Sequence, residues 1–300
     1  MTKTNEAGVE VQIPLENTIA FAVTQRCAGD SVKENGGKVQ TDADKNMFSV
    51  QKKLFESKAY EAIKSHQGKV ATWLTKNTVQ MFGRRAIYLI SKSAIADVDK
   101  QLQTFKKEKQ LLTDAFLAVY PTMIEEAKKL LNSEFNSTDY KTVNEMSRKF
   151  DMTWFYISLA VSDNIPEEMQ KQEVQKFQDI WQKTAIECRE GLRLAFVKLL
   201  EHLNERLQPT AEGKAQRFHE SNIENLLEFI NTLERRNLTN DVELAKVANQ
   251  VKDIVKDASA EDIRKSANVR KTLIEKIAKV SESCDTMIST VKARKFNLDE

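Results

Sequence analysis

Apolar residues recur at every third or fourth position over most of the chain, the spacing that lays a stripe along one side of a helix. Between residues 95 and 123 that stripe is Ile95, Val98, Leu102, Phe105, Leu112, Phe116, Val119 and Met123, with Lys109 on one of its positions. It predicts a helix of about 35 to 40 residues, roughly 55 Å long at 1.5 Å per residue. Pro121 falls inside it and, having no amide proton, is expected to kink or break it at Tyr120. A second long helix is expected from Pro166 to Gln208, with Glu167 and Glu168 in its first turn. Phe177, Trp181, Cys188, Leu192, Phe196, Leu199 and Leu203 mark its buried side, and Pro209 and Gly213 close it. Three more helices are expected at about 215–236, 240–257 and 260–293, with Asp241 and Ser259 as N-caps. In the last, Ile263, Ala267, Ile274, Ile277, Cys284, Ile288 and Val291 hold the stripe, while Arg270 and Ser281 interrupt it.

Before residue 94 the pattern is mixed. The segments 18–24 and 85–91 are rich in β-favouring residues and are expected to pair, because an isolated strand of this length is not stable. Between them, Leu54, Phe55, Ala59, Ala62 and Ile63 predict a helix over 50–66 that ends at Gly68. Gly8, Gly29, Gly36 and Gly37, with the polar run from Asp30 to Asn46, make the first fifty residues loop-rich. The chain is thus expected to comprise a loop-rich segment 1–50 with one short strand, a helix-strand segment 51–93 and a long-helix bundle 94–300. The fold class is mainly α: an elongated antiparallel helical bundle with a small two-stranded sheet near the N-terminus.

Composition supports long helices and few turns, since 300 residues include only 8 Gly and 4 Pro, against usual shares of about 7% and 5%. Formal charge is nearly balanced at +2, so no bulk field would hold nucleic acid or an anionic membrane. Segment 51–93 departs from that balance, with nine Lys and Arg against two Asp and Glu, or +7. It interleaves basic side chains with Phe55, Tyr60, Trp73, Phe82 and Tyr88. Two readings stay open. Lys52, Lys53, Lys69, Lys76, Arg84 and Arg85 could contact phosphates while Trp73 stacks on a base, or the segment is a solvated basic face over an aromatic core.

Residues that would carry catalysis are sparse. None of His66, His202 and His219 stands three residues after a glutamate, and the chain has no Cys-x-x-Cys. Cys188 and Cys284 lie on buried stripes, where cysteine behaves as a small hydrophobe, and Cys27, next to Arg26, is a slightly better candidate for a reactive thiolate. Gly36-Gly37-Lys38 does not complete a phosphate loop. The adjacent carboxylates Glu125/Glu126 and Glu167/Glu168 would point about 100° apart on a helix, so neither pair can face one substrate. No catalytic, cofactor or metal residue is assigned, and no enzyme activity, cofactor or membrane association is expected. Three widely spaced cysteines and the absence of an apolar leader among the first sixteen residues suggest a cytoplasmic protein.

Several stretches resemble a known family. They are Phe82-Gly-Arg-Arg-Ala-Ile-Tyr-Leu-Ile90 ahead of Ala94-Ile-Ala-Asp-Val98, then Phe116-Leu-Ala-Val-Tyr120. Asn237-Leu-Thr-Asn-Asp-Val-Glu-Leu244 follows, leading to Asp262-Ile-Arg264 and Val269-Arg270. Their order resembles an uncharacterised, domain-of-unknown-function helical family of bacteria, phages and integrative elements, over most of residues 18–290. Genes of that family often neighbour those of MoxR-type AAA+ ATPases and von Willebrand factor A-type proteins. The resemblance implies a partner and no catalytic residues. The expectation is a non-catalytic interaction or scaffold protein with a protein partner or self-association, acting as an adaptor or assembly factor beside a MoxR-type AAA+ ATPase. The alternative is a nucleic-acid-binding protein that uses segment 51–93.

Overall fold

The computed structural model describes residues 17–34, 49–81, 86–158, 166–209, 216–256, 260–266 and 268–280. It is mainly α, about 70% helical, with a small antiparallel sheet. The chain forms two units that each draw on separated stretches of sequence. The larger takes residues 1–20, 75–95 and 157–300, and the smaller takes 21–74 and 96–156.

In chain order the elements are β1 (Thr18–Arg26), β2 (Ser31–Glu34), β3 (Val50–Lys53), α1 (Lys58–Asn77), β4 (Val79–Gln80) and β5 (Ile87–Ser91). Then come α2 (Ile95–Leu131), α3 (Val143–Ser147), β6 (Asp151–Ile157) and α4 (Glu167–Leu207). The last are α5 (Ser221–Arg236), α6 (Val242–Val255), α7 (Ala260–Lys265) and α8, residues 268–280. One sheet has the order β4-β5-β1-β6, and β2 and β3 form a separate antiparallel pair.

Helix α2 has the expected length, 37 residues, and is not broken at Tyr120. Its buried positions are Val98, Leu102, Phe105, Lys109, Thr113, Phe116, Tyr120, Met123 and Ala127. Tyr120 and Thr113, rather than Val119 and Leu112, take the inner positions. Pro121 removes one backbone hydrogen bond, but Tyr120, Met123 and Ala127 keep burying surface past it and offset the loss of about 3 kcal/mol. Thr113 satisfies its hydroxyl by donating to the Lys109 carbonyl at 2.8 Å. Asn132, just after the helix, takes φ 46°, a left-handed conformation that asparagine tolerates.

The expected helix over 50–66 is corrected on both sides. Residues Val50–Lys53 form strand β3, paired in register with β2 so that Val32 faces Lys52 and Glu34 faces Val50. Helix α1 begins only at Lys58, where the Ser57 hydroxyl accepts the Ala59 amide. It runs through Gly68 to Asn77, because Val70 and Leu74 continue the buried stripe of Tyr60 and Ile63. The expected two-stranded sheet is part of a four-stranded one. The strands predicted at 18–24 and 85–91 are neighbours in it, as β1 and β5. Segment 94–300 is not helical throughout either, because Asp151–Ile157 is strand β6. Along it Met152 is buried, Thr153 exposed, Trp154 half-buried and Phe155 exposed, an alternation that ends at Tyr156, which is exposed in turn.

In the smaller unit an aromatic cluster fills the core. Phe55 meets Tyr60 edge-on at 5.1 Å between centroids, and Phe116 at 5.4 Å. Phe150 meets Phe116 at 5.4 Å. Such pairs add about 0.5–1.5 kcal/mol to area burial. Lys109, buried on the inner side of α2, donates to the Arg26 carbonyl at 2.7 Å and the Asp151 carbonyl at 2.6 Å. It thereby ties α2 to the last residue of β1 and the first of β6. Burial holds its ammonium pKa below the ordinary lysine value.

In the larger unit α4 runs from Glu167 to Leu207, with Pro166 as its N-cap and Gln208 as its C-cap, close to the expected bounds. Trp181, Cys188, Leu192, Phe196 and Leu203 are buried, whereas Phe177 and Leu199 are half-buried. Its apolar side packs with Leu226, Phe229 and Leu233 of α5 and with Leu244, Val247 and Val251 of α6. Asp241 caps α6 by accepting the Leu244 amide at 3.2 Å. The helix expected over 260–293 is interrupted at Ser266, and Ile263, Leu273 and Ile277 bury on either side of the break. Ser259, Cys284, Ile288 and Val291 lie outside the described residues.

Gly68 and Gly191 both sit inside helices, exposed, with no atom within 4 Å of where a Cβ would be. Gly68→Ala in α1 and Gly191→Ala in α4 are each expected to raise stability by about 0.5–1 kcal/mol. The midpoint of urea unfolding measures this, and a lower midpoint in either variant contradicts the exposed-helix placement.

Candidate functional site

The turn between α5 and α6, residues 237–241, is held by a dense set of hydrogen bonds. The Asn237 side chain brackets the Asp241 backbone, its Oδ1 accepting the Asp241 amide at 2.8 Å and its Nδ2 donating to the Asp241 carbonyl at 3.2 Å. Asn240 adopts φ 49°, which an asparagine accepts at little cost. Arg193, from the middle of α4, donates through Nε at 2.5 Å and Nη2 at 2.9 Å to the two oxygens of Asp241. The same Nη2 reaches Glu243 at 2.7 Å, and Arg189 lies 3.5 Å from Asp241. Both members of the central pair are buried, with side chains 5% and 2% exposed. Burial acts to raise the Asp241 pKa, but the Arg193 guanidinium and the Leu244 amide outweigh it and hold the carboxyl below the usual range.

This locked turn forms one wall of a cleft of about 640 Å³. Asn231 and Glu234 of α5, Asn237 and Asn240 of the turn, and Asn249 and Lys252 of α6 line it. Asn17, Ser91 and Ser93 close the other side. Lys252 donates to Asn231 Oδ1 at 3.0 Å, and Ser91 and Ser93 bond each other at 2.8 Å. Asn17, Asn240 and Asn249 are exposed and make no side-chain hydrogen bond within the described residues. Primary amides neither gain nor lose protons at accessible pH, so these asparagines can contribute hydrogen bonds but not proton transfer. Each amide offers both a donor and an acceptor, the complement of a peptide group.

No family model, curated protein or solved structure matches the chain.

The basic residues singled out from the sequence are dispersed and paired. In the smaller unit, Lys52 on β3 contacts Glu34 at 2.6 Å, Asp139 at 2.7 Å and the Glu134 carbonyl at 3.1 Å. Those carboxylates raise its pKa. Lys53 pairs with Glu56 at 3.1 Å. Lys69 pairs with Glu108 at 2.9 Å and lies 5.6 Å above the Phe105 ring, which Trp73 meets edge-on at 5.7 Å and His66 at 5.9 Å. Lys69 and Trp73 therefore share one side of α1. Lys76 belongs to the larger unit and pairs with Glu228 at 2.8 Å. Arg84 and Arg85 lie outside the described residues, as does Gly36-Gly37-Lys38.

His66 is buried, with Nε2 3.2 Å from Glu108 and Nδ1 without a partner. Burial lowers its pKa and prevails over the nearby Glu108 carboxylate, which raises it. Burial raises the Cys27 thiol pKa and pushes Cys188 up to about 11. Both are poor nucleophiles at neutral pH. Among the described residues no three His, Cys, Asp or Glu side chains are grouped to hold a metal, and no helix is long and apolar enough to cross a membrane.

Sequence reasoning missed the cleft. The run Asn237-Leu-Thr-Asn-Asp241 was legible as a turn before a helix cap, but nothing in the chain order joins it to Asn17, Ser91 or Asn249.

Arg193→Met and Asp241→Ala are each expected to cost about 3–5 kcal/mol, since each strands a buried charge. The double variant should cost clearly less than their sum, and additivity in denaturant unfolding would exclude the coupling. Burial makes His66 take up its proton at a lower pH in the fold than in the unfolded chain, where it protonates below pH of about 6.5. Its contribution is complete above that pH and declines as pH falls, so His66→Phe should flatten the slope of Tm against pH between 7 and 5.

Proposed function

We propose that this is a non-catalytic interaction protein whose long helices form the framework of a bundle and whose asparagine-lined cleft receives an extended segment of a partner protein. The observation that carries this reading is the set of uncommitted amides at Asn17, Asn240 and Asn249 lining one cleft beside a turn held by Arg193 and Asp241. Main-chain peptide groups each present a donor and an acceptor. Side-chain amides can pair with them whatever the partner's side chains are. The wall is already ordered, so little conformational entropy is lost when it is occupied. The family resemblance makes a MoxR-type AAA+ ATPase system the first partner to test, with the present chain as adaptor or assembly factor.

Nucleic-acid binding through 51–93 has less support. Lys52, Lys53, Lys69 and Lys76 each already hold a carboxylate, so a phosphate would have to displace it.

Panning a displayed library of extended peptides against the full chain tests the proposal. Peptides should be enriched, and Asn240→Ala/Asn249→Ala should weaken them by about 10- to 100-fold, at roughly 1 kcal/mol per hydrogen bond lost. Circular dichroism should stay unchanged. Failure to enrich any peptide, or equal affinity for the double variant, overturns it.

A further inference from the structure

Helix α5 has a second groove on another of its sides, about 240 Å³, lined by Leu199, Asn225, Phe229, Thr232 and Arg236, with Lys76 and Glu228 at its rim. Its charge is unusual. Lys76 and Glu228 neutralise each other at 2.8 Å, whereas Arg236 contacts no carboxylate among the described residues. The Arg236 guanidinium instead lies 4.8 Å above the Phe229 ring, and its Nε is sealed from solvent without an acceptor. Burial lowers its pKa, as expected of a cation losing water without gaining an anion.

An arginine in the last turn of a helix is favoured by the negative end of the helix dipole, which explains a basic residue at the C-terminus of α5. The dipole does not explain why this one is half-buried, stacked and left without an acceptor. The Phe229 ring lies under one face of the guanidinium and Nε is sealed from solvent, which leaves the outer Nη1–Nη2 edge as its remaining bonding surface. That edge matches the two oxygens of an oxyanion. Leu199 and Phe229 supply apolar walls beside it, and Glu228 close by disfavours a second negative charge on the occupant.

We propose that the Arg236 groove is a recognition site for a monoanionic carboxylate carried on a short apolar chain, such as an acidic side chain or chain terminus of a bound protein. The carboxylate pairs with the guanidinium edge, and its apolar stem lies against Leu199 and Phe229. This site is independent of the asparagine cleft and involves none of the cleft's residues.

The test is a titration of the full chain, at fixed ionic strength, with acetate, butyrate, inorganic phosphate and chloride. It is followed through the Arg236 Nε–H resonance and the backbone amides of Asn225 and Thr232. Butyrate should saturate the site and bind more tightly than acetate, by about fourfold for each methylene that becomes buried. Phosphate should bind more weakly than butyrate, and chloride should give no saturable shift. Arg236→Gln should abolish the response of the two amides, and Arg236→Lys should weaken it several-fold while leaving the fold intact by circular dichroism. Equal responses to chloride and butyrate, tighter binding of phosphate than of butyrate, or an unchanged response in Arg236→Gln would overturn the proposal.

Discussion

The geometry of the larger unit depends on the buried pair between Arg193 and Asp241. Asp241 caps α6 through the Leu244 amide, receives two hydrogen bonds from Arg193, and has its own backbone bracketed by Asn237. One carboxylate thus joins the middle of α4 to the turn from α5 into α6. A buried ion pair adds little net stability over a well-packed apolar substitute. Its effect here is directional. Apolar side chains would let α5 and α6 slide on α4, whereas a stranded charge on either member is too costly to allow it. The walls of the asparagine cleft are fixed as a consequence.

The smaller unit meets a comparable requirement with a different device. Lys109 occupies a position on the apolar stripe of α2 and satisfies its ammonium with the carbonyls of Arg26 and Asp151 rather than with a carboxylate. Those carbonyls lie at the end of one strand and the start of another, so the lysine ties down the place where β1 ends and β6 begins. Around it, Phe55, Tyr60, Phe116 and Phe150 pack edge-on or tilted, which gives the core a preferred arrangement as well as buried area. Tyr60 adds a further tie by donating its hydroxyl to the Ala28 carbonyl.

The two sites around α5 differ in what they offer. The cleft presents the amides of Asn231, Asn237 and Asn240 beside the charged side chains of Glu234 and Lys252, while the groove presents Arg236 against the apolar walls of Leu199 and Phe229, with the Lys76–Glu228 pair at its rim. The two described cysteines line neither site, and burial raises the pKa of both thiols.

The sequence by itself determined the long helices α2 and α4 and the cap at Asp241, because burial of one helical side writes a period of 3.6 into the chain and a cap needs only its nearest neighbours. It also placed β1 and β5 as strands. It misassigned residues 50–57 and 151–157, where Leu54 and Phe55 fit a helical stripe by coincidence and the Trp154 cluster has no helical spacing. A strand's place depends on hydrogen bonds to a partner far away in the chain, and periodicity does not encode the partner. Gly68 and Pro121 mark helix ends by local preference, yet tertiary burial on either side outweighed about 1 and 3 kcal/mol of that preference. Only the tertiary structure decided the candidate sites. Asn17, Asn240 and Asn249 are exposed and Ser91 half-buried, from distant segments, and the stripe pattern constrains what is buried while leaving the other residues, and what they converge on, free.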